Sequence, residues 1–214
     1  MTSQETTRTA RRAAANRRAI VAAAEEIMLE YGSGALTLEA VADRADVAVQ
    51  TIYNRVGGRS ALLIAVAERA FDDNRQYMDA AYAAPGRAVD RILRAAEAYT
   101  RFAAERPHQF RLLTDPPNEP EALTRVADLV AEQNNKLAAA LAEGAADGSV
   151  TPHADPHTAA TVLWAAMNGI LALSWRADRL RSDETQVREL VTTMITMITK
   201  GLFTPNGDKQ PPIA

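Results

Sequence analysis

Between Thr37 and Arg59 the sequence predicts two helices that are too short to be stable on their own. Thr37 can cap the first helix, which has an apolar stripe starting at Leu38. The second, residues 49–55, is barely two turns long, and isolated helices of that length do not form in water. Two such helices packed across a tight turn make a helix-turn-helix, whose second helix enters the major groove of DNA.

The same segment resembles the DNA-binding domain of TetR-family repressors. The resemblance is specific over about Ile20 to Val66 and becomes a fold-level match over the rest of the chain. The residues that carry it are Thr37, Val41, Ala42, Val47, Thr51, Ile52, Tyr53, Gly57, Gly58, Arg59, Ala61 and Leu62. The resemblance implies an all-α fold, with an N-terminal helix-turn-helix domain of three helices and a larger C-terminal helical domain for effector binding and dimerisation.

The segment departs from the family pattern at four positions. The family usually has Gly, Ser, Phe and Lys where this chain has Asp46, Ala48, Val56 and Arg59. Ala48 lacks the hydroxyl that commonly caps the second helix and contacts a phosphate. Arg59 keeps the positive charge but replaces a compact ammonium with a planar guanidinium. These departures concern affinity for DNA more than family membership.

The composition excludes several other classes of protein. A chain of 214 residues suits one medium domain, or a small domain and a larger one. It has no cysteine, which excludes disulfides and thiolate chemistry. No apolar run reaches the length that spans a bilayer, and the N-terminus lacks the apolar region of a secretory signal. We therefore expect a cytoplasmic protein without a membrane partner.

Positive charge is concentrated at the N-terminus. The net charge is −3, but residues 1–18 contain five arginines against Glu5, a charge of +4, so the remaining residues sum to −7. We predict a flexible basic arm over residues 1–12, followed by the helix-turn-helix domain over residues 13–66. The arm alone could be a solvated, frayed terminus. Before a helix-turn-helix, we expect Arg12 and Arg17 to contact phosphates.

Apolar residues at helical spacing predict about nine helices and no strand. The first runs from Ala10 to Tyr31, and the fourth, residues 61–83, is shared between the two domains. The later helices form the C-terminal domain, residues 67–203, and a Pro-, Gly- and Lys-containing tail at 204–214 is expected to be disordered. A rigid helix shared between two domains can couple their movements.

The last two predicted helices, residues 156–176 and 183–203, have more apolar surface than one core needs. The first is apolar around most of its circumference, which is typical of a helix buried on both sides. We expect these helices to form a four-helix bundle with a second copy, as TetR-family proteins do. The alternative is a central helix in a monomeric core. Trp164, Asn168 and Gly169 resemble the Trp-His-Gly class of C-terminal domains, with Asn in place of His.

Most candidate DNA contacts lie on the second short helix. At its start, Gln50 can bond an adenine edge and Val49 can touch a thymine methyl group. Hydroxyl, amide and guanidinium groups further along can position the protein on phosphates. The resemblance assigns a phosphate contact to Tyr53, which could instead be a half-buried core residue. The predicted DNA-binding residues are Thr37, Val49, Gln50, Thr51, Tyr53, Asn54, Arg55, Arg59, Arg12 and Arg17.

Aromatic and methionine side chains of the later helices are candidates for an effector site. Such side chains line apolar ligand pockets, although at helical spacing most of them belong to an ordinary core. The predicted effector-binding residues are Tyr77, Tyr82, Tyr99, Phe102, Phe110, Trp164, Met167 and Asn168. Few of them are charged, which favours a small neutral or apolar effector.

No metal or cofactor is predicted. His153 and His157 flank Asp155 at a spacing that a metal site could use. Pro156 instead indicates a helix entry, where Asp155 or Thr151 acts as a cap or turn residue. A phosphate-binding glycine loop and a nucleophile elbow are both missing from the sequence, which disfavours an all-helical enzyme.

The sequence therefore predicts a sequence-specific DNA-binding transcriptional regulator. The resemblance implies a dimeric repressor that places its recognition helices about 34–36 Å apart on a palindromic operator. An effector entering the C-terminal domain would move the fourth helix and release the DNA. A dimeric DNA-binding protein that senses no effector is the alternative, and an enzyme is a more distant one.

Overall fold

A computed structural model describes residues 3–116, 118–151 and 154–202. Over these ranges the regular structure is entirely helical, which confirms the prediction of an all-α fold. The helices are α1 (Ser3–Tyr31), α2 (Leu38–Arg44), α3 (Val49–Arg55), α4 (Arg59–Tyr82), α5 (Ala88–Glu105), α6 (Pro107–Thr114), α7 (Pro120–Ala146), α8 (Pro156–Leu171) and α9 (Glu184–Leu202). Short 3-10 turns lie at Ser33–Ala35 and Ala172–Trp175.

The chain divides into two compact units. The first unit contains the described residues up to Asp73 together with His108–Val130, and the second contains Asn74–Pro107 and the described residues from Ala131 onward. The sequence-based boundary at residue 67 had placed α6 and all of α7 in the C-terminal domain. Leu112 of α6 and Ala122 of α7 pack instead against the core of the first unit. The helices α4 and α7 each begin in the first unit and end in the second.

The core of the first unit holds the two short helices in place. Val41 of α2 and Ile52 of α3 are fully buried against Ile20 of α1 and Leu62 of α4. Full burial of such a side chain contributes roughly 1.5–3 kcal/mol. This contribution explains how two seven-residue helices, unstable by themselves, are stable here.

Side-chain caps fix several helix ends. The Oγ1 atom of Thr37 accepts a hydrogen bond from the Ala40 N–H at 3.1 Å, as the sequence predicted. Asp155 caps α8 by accepting from the N–H groups of His157 and Thr158, each at 3.1 Å. Asp183 accepts from the Gln186 N–H at 2.9 Å before α9. These bonds satisfy N–H groups that have no partner within a helix.

The N-terminal segment differs from its prediction as an arm. The helix α1 begins at Ser3, seven residues before the predicted start at Ala10. Neither Gly nor Pro occurs between Ser3 and Tyr31, and Ala and Arg favour helices, so no residue interrupts the helix earlier. The basic residues Arg8, Arg11 and Arg12 are exposed on this helix. The tail predicted over residues 204–214, and His153, lie outside the described residues.

In one copy of the chain, α8 is covered on one side only. Ala160, Met167 and Leu171 are buried, whereas the side chain of Val162 is 61% exposed. On α9, Val187 and Val191 are buried, and the side chain of Met197 is 70% exposed. These exposures argue against the alternative that α8 is the central helix of a monomeric core.

Among the described residues, one segment is long and apolar enough to cross a membrane by length and composition alone. It comprises α8 and the following turn, Pro156–Trp175. The sequence prediction concerned uninterrupted apolar runs, and His157, Asn168 and Ser174 interrupt this segment. Core helices of soluble proteins meet the same criterion, so the finding is weak evidence for a membrane span.

Candidate nucleic-acid interface and effector domain

The helix α3 presents a polar face to solvent. Its anchor is Ile52, and Val49 and Thr51 are partly buried beside it. Gln50, Asn54 and Arg55 are exposed, and the Nε2 atom of Gln50 donates to Oδ1 of Asn54 at 3.2 Å. The helix therefore buries one edge in the core and leaves amide and guanidinium groups exposed to solvent.

Tyr53 lies on the exposed face of α3, with 54% of its surface accessible. This exposure argues against a place for Tyr53 in the buried core. A phenol in this position offers a hydroxyl group at the edge of the helix, where it can reach a phosphate oxygen.

Arg17 of α1 contacts the end of α3. Its Nη1 atom donates to the carbonyl oxygen of Arg55 at 3.1 Å. The last carbonyl groups of a helix carry partial negative charge and lack partners within the helix, so a guanidinium stabilises them. Arg17 therefore ties α1 to α3 and brings positive charge next to it. Arg12 is exposed on the same helix.

Arg59 has a different environment from the one expected. Its Nε and Nη2 atoms donate to the carbonyl oxygens of Leu36 and Ser33, each at 3.0 Å, and Nη1 pairs with Glu119. The guanidinium thus links the start of α4 to the turn before α2 and to the residue before α7. The prediction of Arg59 as a free cation for phosphate is not supported by these contacts. Thr37 likewise uses its hydroxyl as a cap.

The turn between α2 and α3 has a left-handed residue. Asp46 has a φ angle of 51°, and it occupies the position where the family usually has Gly. The Val47 N–H closes the turn by donating to the Ala42 carbonyl at 3.0 Å. Next along the turn, Ala48 occupies the N-cap of α3 without a side-chain hydrogen bond. Both departures from the family pattern thus affect the entry to α3.

In the second unit, Tyr99 links α5 to α8. Its hydroxyl donates to Oδ1 of Asn168 at 2.8 Å. Burial raises the pKa of this hydroxyl well above its usual range, and hydrogen bonding with Trp164 and Asn168 offsets part of the shift. The structure therefore brings three predicted effector residues together. It also gives the Asn168 oxygen a partner inside the chain, where the sequence left room for a ligand.

The other predicted effector residues of the second unit lie in packed surroundings. The rings of Tyr77 and Phe102 are 5.4 Å apart between centroids, and the Tyr77 hydroxyl donates to Oε2 of Glu105 at 2.6 Å. Tyr77 and Tyr82 both pack against a buried cluster that includes Met78 and Ala95, and Met167 is buried on α8. Phe110 is fully buried on α6, which belongs to the first unit.

The sequence analysis missed two buried amides of the second unit, Asn74 on α4 and Gln133 on α7. The Nδ2 atom of Asn74 and both amide atoms of Gln133 are buried without a hydrogen-bond partner among the described residues. A signal for Asn74 was present, because it interrupts an apolar stripe at helical spacing. That stripe consists of Ala67, Ala70, Phe71, Met78 and Ala81.

The described residues include no group of three or more His, Asp or Glu side chains arranged to hold a metal ion. The carboxylate of Asp155, the centre of the imagined metal site, is occupied as the cap of α8. Hydrogen bonding with Thr158 lowers the pKa of this carboxyl. The interpretation of Asp155 as a cap is confirmed.

A helix-turn-helix with an exposed second helix, joined to a separate helical unit, defines a DNA-binding transcriptional regulator. Residues 20–66 match the family model of bacterial regulatory proteins of the tetR family. Residues 92–198, half of the chain, match the tetracyclin repressor-like C-terminal domain. The chain therefore belongs to the TetR family of transcriptional regulators.

Solved structures share this fold. A protein of unknown function from Rhodococcus sp. RHA1 is 25% identical, with a TM-score of 0.71 over 88% of this chain and 96% of that one. A TetR/AcrR-family regulator from Thermobifida fusca is 23% identical, with a TM-score of 0.66 over 84% and 96%. The regulator FadR from Bacillus subtilis, in complex with stearoyl-CoA, is 17% identical, with a TM-score of 0.68 over 81% and 96%. No curated protein matches the sequence significantly.

Proposed function

We propose that the protein is a cytoplasmic repressor that binds a palindromic operator as a homodimer and is released by a small effector. The observation that carries the proposal is the polar, solvent-exposed face of α3. Gln50 and Tyr53 lie on that face, and Ile52 anchors its opposite edge in the core.

Two kinds of contact would form on DNA. Gln50 and Val49, at the start of α3, would read base edges, and a good base contact contributes about 1–3 kcal/mol of discrimination. Tyr53, Asn54 and Arg55 would contact phosphates and set the orientation of the helix. The exposed arginines of α1, Arg12 among them, add a salt-dependent attraction to the backbone. Arg17 would position α3 as well as add charge.

The uncovered surfaces of α8 and α9 support a homodimer. Val162 on α8 and Met197 on α9 are large apolar side chains that a single copy leaves exposed. Ala165 and Gly169 are exposed on α8 in the same copy and are small enough for a partner helix to approach closely. A second copy would cover these surfaces and produce a four-helix interface with twofold symmetry.

Release by an effector would depend on α4, which begins beside the helix-turn-helix and ends in the second unit. A displacement of its second half would be carried to the first unit if the helix moves as a rigid body. The effector must bind the released form more tightly than the DNA-bound form. A difference of about 2.7 kcal/mol would lower operator affinity about 100-fold.

A dimeric regulator that senses no effector is the second candidate function. The closed hydrogen bond between Tyr99 and Asn168, and the packing of Tyr77 on Phe102, favour it because these predicted pocket residues already have partners. The Bacillus subtilis regulator FadR binds stearoyl-CoA in its solved structure. At 17% identity the similarity supports a shared fold but does not indicate a shared effector.

Fluorescence anisotropy with DNA from the upstream region of the gene tests operator binding. We expect saturable binding that weakens steeply between two salt concentrations. Gln50→Ala should weaken it by about 5- to 100-fold, since a base contact is lost. Tyr53→Ala should weaken it through a lost phosphate contact. Gln76→Ala, which removes an exposed Gln on the second half of α4, is the matched control and should bind like the wild type. Equal affinity in Gln50→Ala and Gln76→Ala would contradict the proposed role of α3.

A further inference from the structure

In the second unit, α4 and α7 lie side by side and run in the same direction. The Nη2 atom of Arg75 contacts Oε2 of Glu132 at 2.7 Å, and the Nζ atom of Lys136 contacts Oδ1 of Asp79 at 2.7 Å. Both pairs join residues 57 positions apart in sequence. A constant separation between paired residues means that the two helices are parallel along this row of ion pairs.

Asn74 and Gln133 lie on the inner side of that row. Asn74 is the residue before Arg75. It lies on the same side of α4 as the buried Met78, one turn further on. Gln133 is the residue after Glu132. It lies on the same side of α7 as the buried Ala140, two turns further on. Since the ion pairs mark the edge where the helices meet, both amides point from that edge towards the same interior.

The amides lack partners where partners are most needed. Asn74 is only 3% exposed, and its Nδ2 atom is buried and unpaired among the described residues. The Nε2 donor and the Oε1 acceptor of Gln133 are also buried and unpaired among the described residues. A buried amide without hydrogen bonds is unfavourable, and native chains rarely keep one without a molecule that pairs with it. Three unpaired atoms on two facing helices therefore indicate a binding site.

The donors and acceptors define the chemistry of a molecule that would pair with them. The Nδ2 and Nε2 groups would donate to carbonyl oxygens, and Oε1 of Gln133 would accept from an N–H or O–H group. The cations along this edge, Arg75 and Lys136, are already paired with Glu132 and Asp79. The pairing with Arg75 holds the pKa of Glu132 below its usual range. An anion placed at the amides would thus be buried without a cation of its own, which is strongly unfavourable.

We propose that Asn74 and Gln133 form the polar anchor of the effector site. The effector they fit is an uncharged molecule with an apolar body and a carbonyl group next to an N–H or O–H donor. This inference rests on the proposed function in that it takes the bound molecule to be the effector. It also assigns the ligand to the interior of the second unit, on the side of α4 and α7 that carries Asn74 and Gln133.

The first test uses benzamide, benzoate and toluene, which share one ring and differ in the group that meets the amides. Side-chain amide signals of the 15N-labelled protein are assigned by their loss in Asn74→Leu and Gln133→Met. We expect benzamide to shift both signals, with benzoate and toluene each producing less than a tenth of that shift. An equal shift with benzoate, or no shift with benzamide, would overturn the proposal.

The second test needs no ligand. If the Gln133 amide is unpaired in the free protein, Gln133→Met removes an unfavourable buried group and should raise the Tm by about 2–4 °C. Gln76→Met makes the same substitution at an exposed position of α4 and should leave the Tm unchanged. A lower Tm in Gln133→Met would mean that the amide has a partner in the free protein, such as ordered water, and would contradict the inference.

Operator binding by the same samples separates this inference from the proposed function. Without a ligand, Gln133→Met should bind DNA like the wild type, since neither amide belongs to the first unit. Benzamide should weaken operator binding of the wild type and affect Gln133→Met at least 10-fold less. Amide shifts in a protein that binds no operator would support the site while contradicting the proposed function.

Discussion

Within the part of the chain that the structure describes, Asp46 is the one residue other than glycine with a positive φ angle. Its φ angle of 51° lies in the left-handed region, at a turn where the family usually has Gly. Left-handed backbone is less favourable for a side-chain-bearing residue than for Gly, although Asp tolerates it better than most. The chain thus retains a small local cost at the entry to α3.

Asp46→Gly should therefore stabilise the first unit. We expect the free energy of unfolding to rise by about 0.5–1 kcal/mol, because Gly adopts positive φ without strain. Urea denaturation measures the change, with Asp46→Ala as the control that keeps the strain and should be less stable than the wild type. A Gly variant no more stable than the Ala variant would show that the turn carries no strain.

Ala48 gives a second prediction at the same turn. It occupies the N-cap of α3 without a side-chain bond, so Ala48→Ser should add the missing cap. The expected gain is about 1 kcal/mol in the free energy of unfolding, measured in urea. The added hydroxyl should also tighten operator binding at a phosphate. Unchanged urea midpoint and unchanged affinity together would mean that the serine does not reach the N-terminus of α3.

At the scale of elements, the hydrogen bond between Tyr99 and Asn168 holds α5 and α8 together and should make stability depend on pH. Burial raises the pKa of Tyr99 in the folded chain above the value of about 10 in the unfolded chain. Its contribution to stability is therefore fully present below about pH 10 and is lost as the pH rises towards the folded value.

Tyr99→Phe should lower the free energy of unfolding at pH 7 by about 1 kcal/mol, because the hydrogen bond is removed. Above pH 10 the loss of stability with pH should become shallower in the variant, with a remainder from Tyr82, whose pKa burial also raises. Chemical unfolding between pH 7 and pH 11 measures both effects. Identical slopes in the two proteins would contradict the assignment of the alkaline transition to Tyr99.

The local part of this structure could be predicted from the sequence. The caps at Thr37 and Asp155 depend on residues two or three positions apart, and both were predicted. The helix-turn-helix was predicted because its apolar spacing and its resemblance to the family lie within one short segment. Residues 20–66, which match the family model, coincide with the range over which that resemblance is specific.

Contacts between distant positions were beyond the sequence. Arg59 pairs with Glu119 across 60 positions, and Nε2 of Gln109 bonds Oε1 of Glu25 at 2.5 Å across 84. No local pattern distinguishes these partners from other polar and charged residues, so Arg59 was assigned to DNA. Likewise, whether an amide on an apolar stripe is paired depends on a neighbouring helix. The sequence therefore pointed to Asn168, which is paired with Tyr99, and did not point to the unpaired amides of Asn74 and Gln133.

The protein combines a helix-turn-helix with apolar surfaces on α8 and α9 that a single copy leaves exposed to solvent. The exposed face of α3 supports the proposed contact with DNA. The exposed apolar side chains of α8 and α9 support the proposed homodimer. A twofold dimer would present two copies of α3 to the same side of a duplex. Two half-sites about one helical turn apart are then needed for full affinity.

The spacing of those half-sites provides the most direct measurement. We would compare the affinity of the wild type for its operator with its affinity for DNA carrying about five extra base pairs between the half-sites, which turns one half-site to the opposite face. We predict at least a 100-fold loss with the five-base-pair insertion and a partial recovery with an insertion of about ten base pairs, a full turn. Equal affinity for all three duplexes would contradict the reading of DNA by a dimer with two recognition helices.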